Sequence, residues 1–301
     1  MNRRVIAGLL LLFPRGWRAR YGEELTQLAA DTVAAGQSPW RVGGDLARAA
    51  AAERARSLGL VGDPVSRTDR ATGGCLAVLW AWVAFVVAGA AVQKASEYWQ
   101  GAVPAGDRAV PTVAFSVLVA GAVIASVAVL AGIALAVPRI GVMLAAGGWS
   151  AIRAPVRRAA GLTLVAAAGT VGLAAWAHTL GPAQRNGADH LYAAAFAAVG
   201  LVGVATLLAW TAVAARIARR IGLSKRLLVA EAGFAITTTV AMAAMSAASL
   251  LWWQTVAGAA PGFFAGGRVG GPMAAAVTLM FAATLVGAAG STRAIRELRR
   301  A

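Results

Sequence analysis

Six long stretches of this sequence are almost free of charge: Ala71 to Gln93, Ala109 to Pro138, Ala159 to Gln184, Leu191 to Ala215, Leu227 to Gly267 (interrupted only by Glu231) and Val269 to Thr292. A helix rises about 1.5 Å per residue, so roughly 20 apolar residues cover a hydrocarbon core of about 30 Å, and each stretch is long enough for one crossing. Inside a bilayer the backbone finds no water to bond, which leaves helices or closed barrels; uninterrupted apolar runs of this length select the helix. Composition agrees, with 59% hydrophobic and 13% charged residues, where a soluble protein carries about a quarter charged. The expectation is an all-α polytopic membrane protein with six transmembrane helices near 73–93, 111–137, 159–180, 191–215, 227–255 and 272–292. A small cytoplasmic helical module at 1–58 and a linker at 59–72 precede them, and a basic tail at 293–301 follows. In the fifth stretch, Gly258, Pro261 and Gly262 end the helix and begin an outer loop. The uncharged segment Ile140 to Ile152, with Gly141, Gly147 and Gly148, reads as an interfacial segment on the inner side or as a re-entrant turn.

The formal charge is +16, from 28 basic and 12 acidic residues. Such an excess suits nucleic acid only if it is gathered on a soluble face. Here it follows the loops. With the N-terminus inside, 24 basic residues lie in inner segments, and only Lys94, Arg108, Arg185 and Arg268 lie outside. That asymmetry predicts cytoplasmic N- and C-termini and contact with anionic headgroups at the inner face, and it excludes a nucleic-acid partner. Trp99, Trp176, Trp252 and Trp253 fall near outer ends of the predicted spans, and Trp149 and Trp210 near inner ones, in the manner of aromatic belts. Only Lys94 and Lys225 among the basic residues are lysine. With Ala, Gly, Val and Leu so abundant, this points to a bacterium with GC-rich codons and to its cytoplasmic membrane.

Arg3 and Arg4 before the apolar run Val5 to Phe13 imitate a secretion signal, but Pro14 and Arg15 end the run and no small-x-small cleavage site follows. A short packed helix is expected. A second helix between Pro14 and Gly36 places Trp17, Tyr21, Leu25, Leu28 and Thr32 on one face. A third begins at Ser38 and Pro39, carries Trp40, Leu46 and Leu58, and stops at Gly59.

The string Phe13-Pro14-Arg15-Gly16-Trp17-Arg18-Ala19-Arg20-Tyr21-Gly22-Glu23-Glu24-Leu25 resembles the cytoplasmic helical prefix of some ABC-type permeases. It is also similar to the start of actinobacterial multi-pass membrane proteins and of anti-sigma-like signalling proteins. The resemblance implies a helical unit that docks a cytoplasmic protein, either a regulator or an ATPase. By position, Trp17 and Tyr21 anchor the helix, while Arg18, Arg20 and Glu24 can pair with a partner. These five are the candidate partner-binding residues, unless all of them simply hold the unit together and onto the bilayer.

Within the spans the ionisable residue is Glu231, whose face continues through Thr238, Met242 and Met245 to Ser249. Two readings stand: a polar pathway along Glu231, Thr238 and Ser249, or a structural carboxylate paired with Lys225 or Arg226 one turn away. Lys94 and Glu97, three apart, suit a snorkelling ion pair. His178 and His190, with Asp189, are too widely spaced to be read as a zinc site. The single Cys75 excludes an intramolecular disulfide and a multi-cysteine metal centre. H-E-x-x-H, G-x-S-x-G and G-x-x-x-x-G-K-[ST] do not occur. No cofactor and no enzymatic activity are therefore expected. The expected function is a membrane protein whose N-terminal helices dock a soluble partner, with a transport component as the alternative. Fusion of alkaline phosphatase after Ala301 is expected to give inactive enzyme and fusion of a green fluorescent protein a bright cell; the opposite pair of results reverses the orientation.

Overall fold

The computed structural model describes residues 8–57, 66–181, 184–185, 189–265 and 270–300. Among them every regular element is helical, and the chain divides into two units, Met1–Ser66 and Arg67–Ala301.

The first unit holds α1 (Arg15–Ala34) and α2 (Pro39–Ser57) after a helical turn at Gly8 to Leu10. Pro39 opens α2 because its fixed φ and missing N–H are harmless at a first helical position. Ala29, Val42 and Leu46 form the core, with Leu9, Leu10, Leu25 and Val33 around them. The Arg54 guanidinium donates to the carbonyls of Leu11 and Leu12, so α2 caps the carbonyl end of the first turn. Trp40, carried by the expected third helix, is 91% exposed. It sits in the first turn of α2, ahead of the turn whose Val42 and Leu46 meet α1. The beginning of the first predicted helix, at Val5 to Ala7, Leu58, and the linker from Gly59 to Val65 lie outside the described residues.

The second unit contains α3 (Arg67–Ala95), α4 (Ala109–Met143), α5 (Trp149–Thr179), α6 (His190–Ile221), α7 (Lys225–Ala259) and α8 (Gly270–Arg300). Five stretches are long and apolar enough to cross a membrane: Arg67–Lys94, Ala109–Thr179, His190–Ile221, Lys225–Ala259 and Gly271–Arg300. The chain thus has the helices of an integral membrane protein. The second stretch, 71 residues long, holds α4 and α5 with a π-helical turn at Leu144–Gly148 between them, where Gly147 has φ of +81°. That left-handed conformation is one a side chain with a Cβ rarely adopts. The segment Ile140 to Ile152 is therefore the end of one long helix, a bend and the start of the next. The other helices likewise run past the expected boundaries: α3 starts at Arg67, inside the expected linker, and α8 continues to Arg300 through the expected tail. Charge ends an apolar window, but it does not end a helix.

Helix α3 packs most extensively on α8, antiparallel to it. The contact is backbone against backbone. A Cβ placed on Gly74 would lie 2.7 Å from the Gly290 carbonyl oxygen, and one on Gly290 would lie 2.8 Å from that of Gly74. Around this crossing Arg70 pairs with Glu297 at 2.9 Å, and the Arg67 guanidinium donates to the Arg300 carbonyl. Helix α7 joins through buried hydroxyl pairs, Thr239 with Ser291 at 2.9 Å and Ser246 with Thr284 at 3.1 Å. Helix α4 meets α7 along a stripe of Ala114, Gly121, Ala125, Ala128 and Gly132, while Val113, Val123, Val127 and Leu130 face outward. Small inside and large outside is the pattern of helices in lipid, where apolar bulk gains nothing by leaving the hydrocarbon and close approach decides association.

Helices α5 and α6 pack chiefly on each other, through Gly169 against Val199, Trp176 edge-on to Tyr192 and Trp210 Nε1 donating to Thr163 Oγ1 at 3.0 Å. Asp189 caps α6 by accepting from the amides of Leu191 and Tyr192. The expected Lys94 and Glu97 ion pair is present at 2.7 Å, and Lys94 also stands over the Phe196 ring of α6. The tryptophans differ in burial. Trp252 is fully buried and stacks edge-on with Trp99 and Phe264, because the short helix Trp99–Ala102 turns back over the bundle. Trp149 is 46% exposed and Trp210 42%.

Gly74→Ala is expected to destabilise the folded protein by about 1–3 kcal/mol, since the added methyl meets backbone on both sides. Gly89→Ala, with open space around it, is expected to be neutral or slightly stabilising; thermal unfolding of the two variants in detergent measures the difference.

Candidate functional site

Two places in the molecule gather residues with the chemistry of recognition, one in each unit. In the first, Phe13, Trp17 and Tyr21 succeed one another at four-residue spacing. Phe13 and Trp17 stack with centroids 4.3 Å apart, and Trp17 and Tyr21 tilt together at 5.2 Å. Phe13 is buried, Trp17 half-buried and Tyr21 45% exposed. Trp17 therefore holds the ladder together and Tyr21 is its open end. Arg20 and Glu24 are exposed, whereas Arg18 is half-buried. Its Nε is buried, with no hydrogen-bond partner among the described residues. Arg18 lines a groove of about 800 Å³ along α1 with Leu10, Gly22, Glu23, Thr26 and Asp31. Of the five candidates, Arg20, Tyr21 and Glu24 are exposed, and Leu28 and Trp40 add exposed apolar surface.

The second place is an apolar cavity of about 460 Å³ bounded by α3, α4, α6 and α7. Leu76 and Leu79 of α3, Ile133 and Ala136 of α4, Val213 and Ile217 of α6 and Ala235 of α7 are among the apolar residues of its wall. Into this wall are set Glu231, Thr238, Cys75, Thr72, Phe234 and Trp210. Glu231 is held there by its contact with α4: a Cβ on Gly132 would stand 2.8 Å from Glu231 Oε2. The glycine leaves the space that the carboxyl fills.

The pairing of Glu231 with Lys225 or Arg226 is not formed. Among the described residues no ion pair and no hydrogen bond reaches the Glu231 carboxyl. Thr238, seven residues on and buried, is likewise without a hydroxyl hydrogen bond among them, whereas its neighbours Thr237 and Thr239 both bond back to carbonyls four residues earlier. Ser249 lies elsewhere. Fully buried, it donates to the Met245 carbonyl and stands 3.7 Å from the Met280 sulfur. Met242 and Met245 fill the helix interior between it and Thr238. The structure thus brings Glu231 and Thr238 to one cavity and places Ser249 in the packed core.

Gly132, Cys75 and Trp210 were not singled out as site residues from the sequence. Gly132 is one of 35 glycines, and nothing in its own neighbourhood of the chain marks it as the one beneath a carboxyl. Among the described residues no group of three or more His, Cys, Asp or Glu side chains converges on a common point. Comparisons with protein families, curated proteins and solved structures find no match for this chain.

Trp17→Ala is expected to loosen the first unit by about 2 kcal/mol or more, since both ring contacts disappear, and limited proteolysis is expected to cut within α1. Glu24→Ala, at an exposed position, is expected to leave the cleavage pattern unchanged.

Proposed function

We propose that this chain is a non-enzymatic integral protein of the bacterial cytoplasmic membrane whose N-terminal helical unit docks a soluble cytoplasmic protein, in a regulatory, anti-sigma-like role. The bend at Gly147 supports six crossings, because a single straight helix of 71 residues would be about 105 Å long, more than three times the hydrocarbon thickness. Six crossings put both termini on one side. The distribution of 24 basic residues against four makes that side the cytoplasm.

The observation that carries the docking reading is the open end of the aromatic ladder. Tyr21, Arg20 and Glu24 are exposed on α1, and a two-helix unit with so thin a core leaves Leu28 and Trp40 uncovered. Exposed aromatic and arginine side chains around apolar surface are the composition of protein interfaces. Co-purification of the full chain from mild detergent, with mass spectrometry of the eluate, tests it. A stoichiometric soluble protein retained by the unaltered chain and lost with Arg20→Ala plus Tyr21→Ala, at unchanged thermal stability, is the expected result; an unchanged eluate refutes it.

A second reading, a transport component, is favoured by one observation. Glu231 lies in an apolar cavity without an ion-pair partner among the described residues, and such a residue is costly to keep unless it acts.

A further inference from the structure

We propose that the cavity between α3, α4, α6 and α7 is a binding site for a hydrophobic organic cation, held by the Glu231 carboxylate and by the aromatic faces of Trp210 and Phe234. The proposal names a ligand class for the cavity on which the transport reading rests, and it concerns binding alone, whether or not the ligand crosses the bilayer.

Size comes first. About 460 Å³ lies within the range of roughly 300–1,000 Å³ typical of small-molecule sites. The wall is almost wholly apolar, which suits a ligand that arrives through lipid and sheds little water on entry. An acyl chain would also satisfy such a wall, but it gives no use to an acid.

The acid distinguishes the two. Glu231 lines the cavity in space that Gly132 leaves open, and no described residue supplies it with a hydrogen bond or a cation. A carboxylate in a poorly solvated site is stabilised by an opposite charge from outside, and the attraction is stronger there than in water. Trp210 and Phe234 are the aromatic groups in the lining, and an aromatic face attracts an organic cation most strongly when both are desolvated. The Trp210 N–H is already engaged by Thr163, which fixes the ring and leaves its face as the part that recognises a ligand. Thr238 adds a hydroxyl to the same wall.

Full-length protein in nanodiscs, with radiolabelled tetraphenylphosphonium and its anionic isostere tetraphenylborate, tests the proposal after subtraction of uptake by empty nanodiscs. Saturable binding of the phosphonium, at least tenfold tighter than that of the borate, is expected. Glu231→Gln is expected to weaken phosphonium binding tenfold or more, and Gly132→Ala, whose methyl meets Oε2, is expected to weaken it too. Phosphonium binding that is undiminished in folded Glu231→Gln protein, or equal affinity for the two ions, overturns the proposal. If Glu231→Gln does not fold, the comparison of the two isosteres on the unaltered chain decides. Saturable binding without flux in proteoliposomes would end the transport reading and leave the site standing; flux of another solute without phosphonium binding would do the reverse.

Discussion

The approach of α3 to α8 at Gly74 and Gly290, where each backbone occupies the space that the other's Cβ would fill, is the contact from which the membrane unit is built. Helices in hydrocarbon gain no hydrophobic free energy by meeting, since lipid tails are as apolar as their side chains. They associate where dispersion contacts are dense and where polar groups find partners. Two glycines facing each other bring two backbones into contact, and the surrounding groups follow: Arg70 reaches Glu297, and α7 docks through the Thr239 and Ser291 hydroxyls. Helix α4 then lays its alanine and glycine stripe on α7. Each addition repeats the same logic of small residues inward and bulk toward lipid.

The cavity is the counterpart of that close packing. Helices α3, α4, α7 and α8 share an interior filled by Phe85, Trp252, Met242, Met273 and Met280. Helix α6 has α5 as its main partner and touches α3 and α4 less extensively. Space remains where α6 meets the others, and Glu231 and Thr238 face it. Farther along α7, Met245 over Gly121 closes the interior. A polar face on one helix therefore has two fates. Near Glu231 it borders a void, and at Ser249 it is sealed by its own backbone and a thioether.

Much of the fold class was legible because hydrocarbon imposes simple rules: the apolar windows fall on the helices that are long and apolar enough to cross a membrane. The reading was weaker wherever two elements had to meet. The tryptophans of the outer ends looked alike in the sequence, yet Trp252 turned inward to Trp99 because of a short helix whose direction no composition encodes. Glu231 stood within helical reach of Lys225 and Arg226, but its carboxyl instead met a glycine 99 residues away in the chain. In the first unit the helical spacing put Trp17 and Tyr21 on one face, and the structure adds Phe13 to them as a ladder of three rings. Which of its rings would be open depended on α2, whose Val42 and Leu46 cover one side of α1 and leave Tyr21 free.

The sequence by itself determined the class of the protein and its long apolar helices, because both depend on local composition measured against the thickness and polarity of a bilayer. Only the tertiary structure decided which of the many small residues are contacts. With 35 glycines and still more alanines, small-residue spacing occurs on nearly every helix and selects none. Gly74, Gly121, Gly132 and Gly290 acquire their roles from what stands opposite them: a carbonyl, a methionine, a carboxyl and another glycine. Such complementarity belongs to pairs of helices, and a single run of sequence does not contain it.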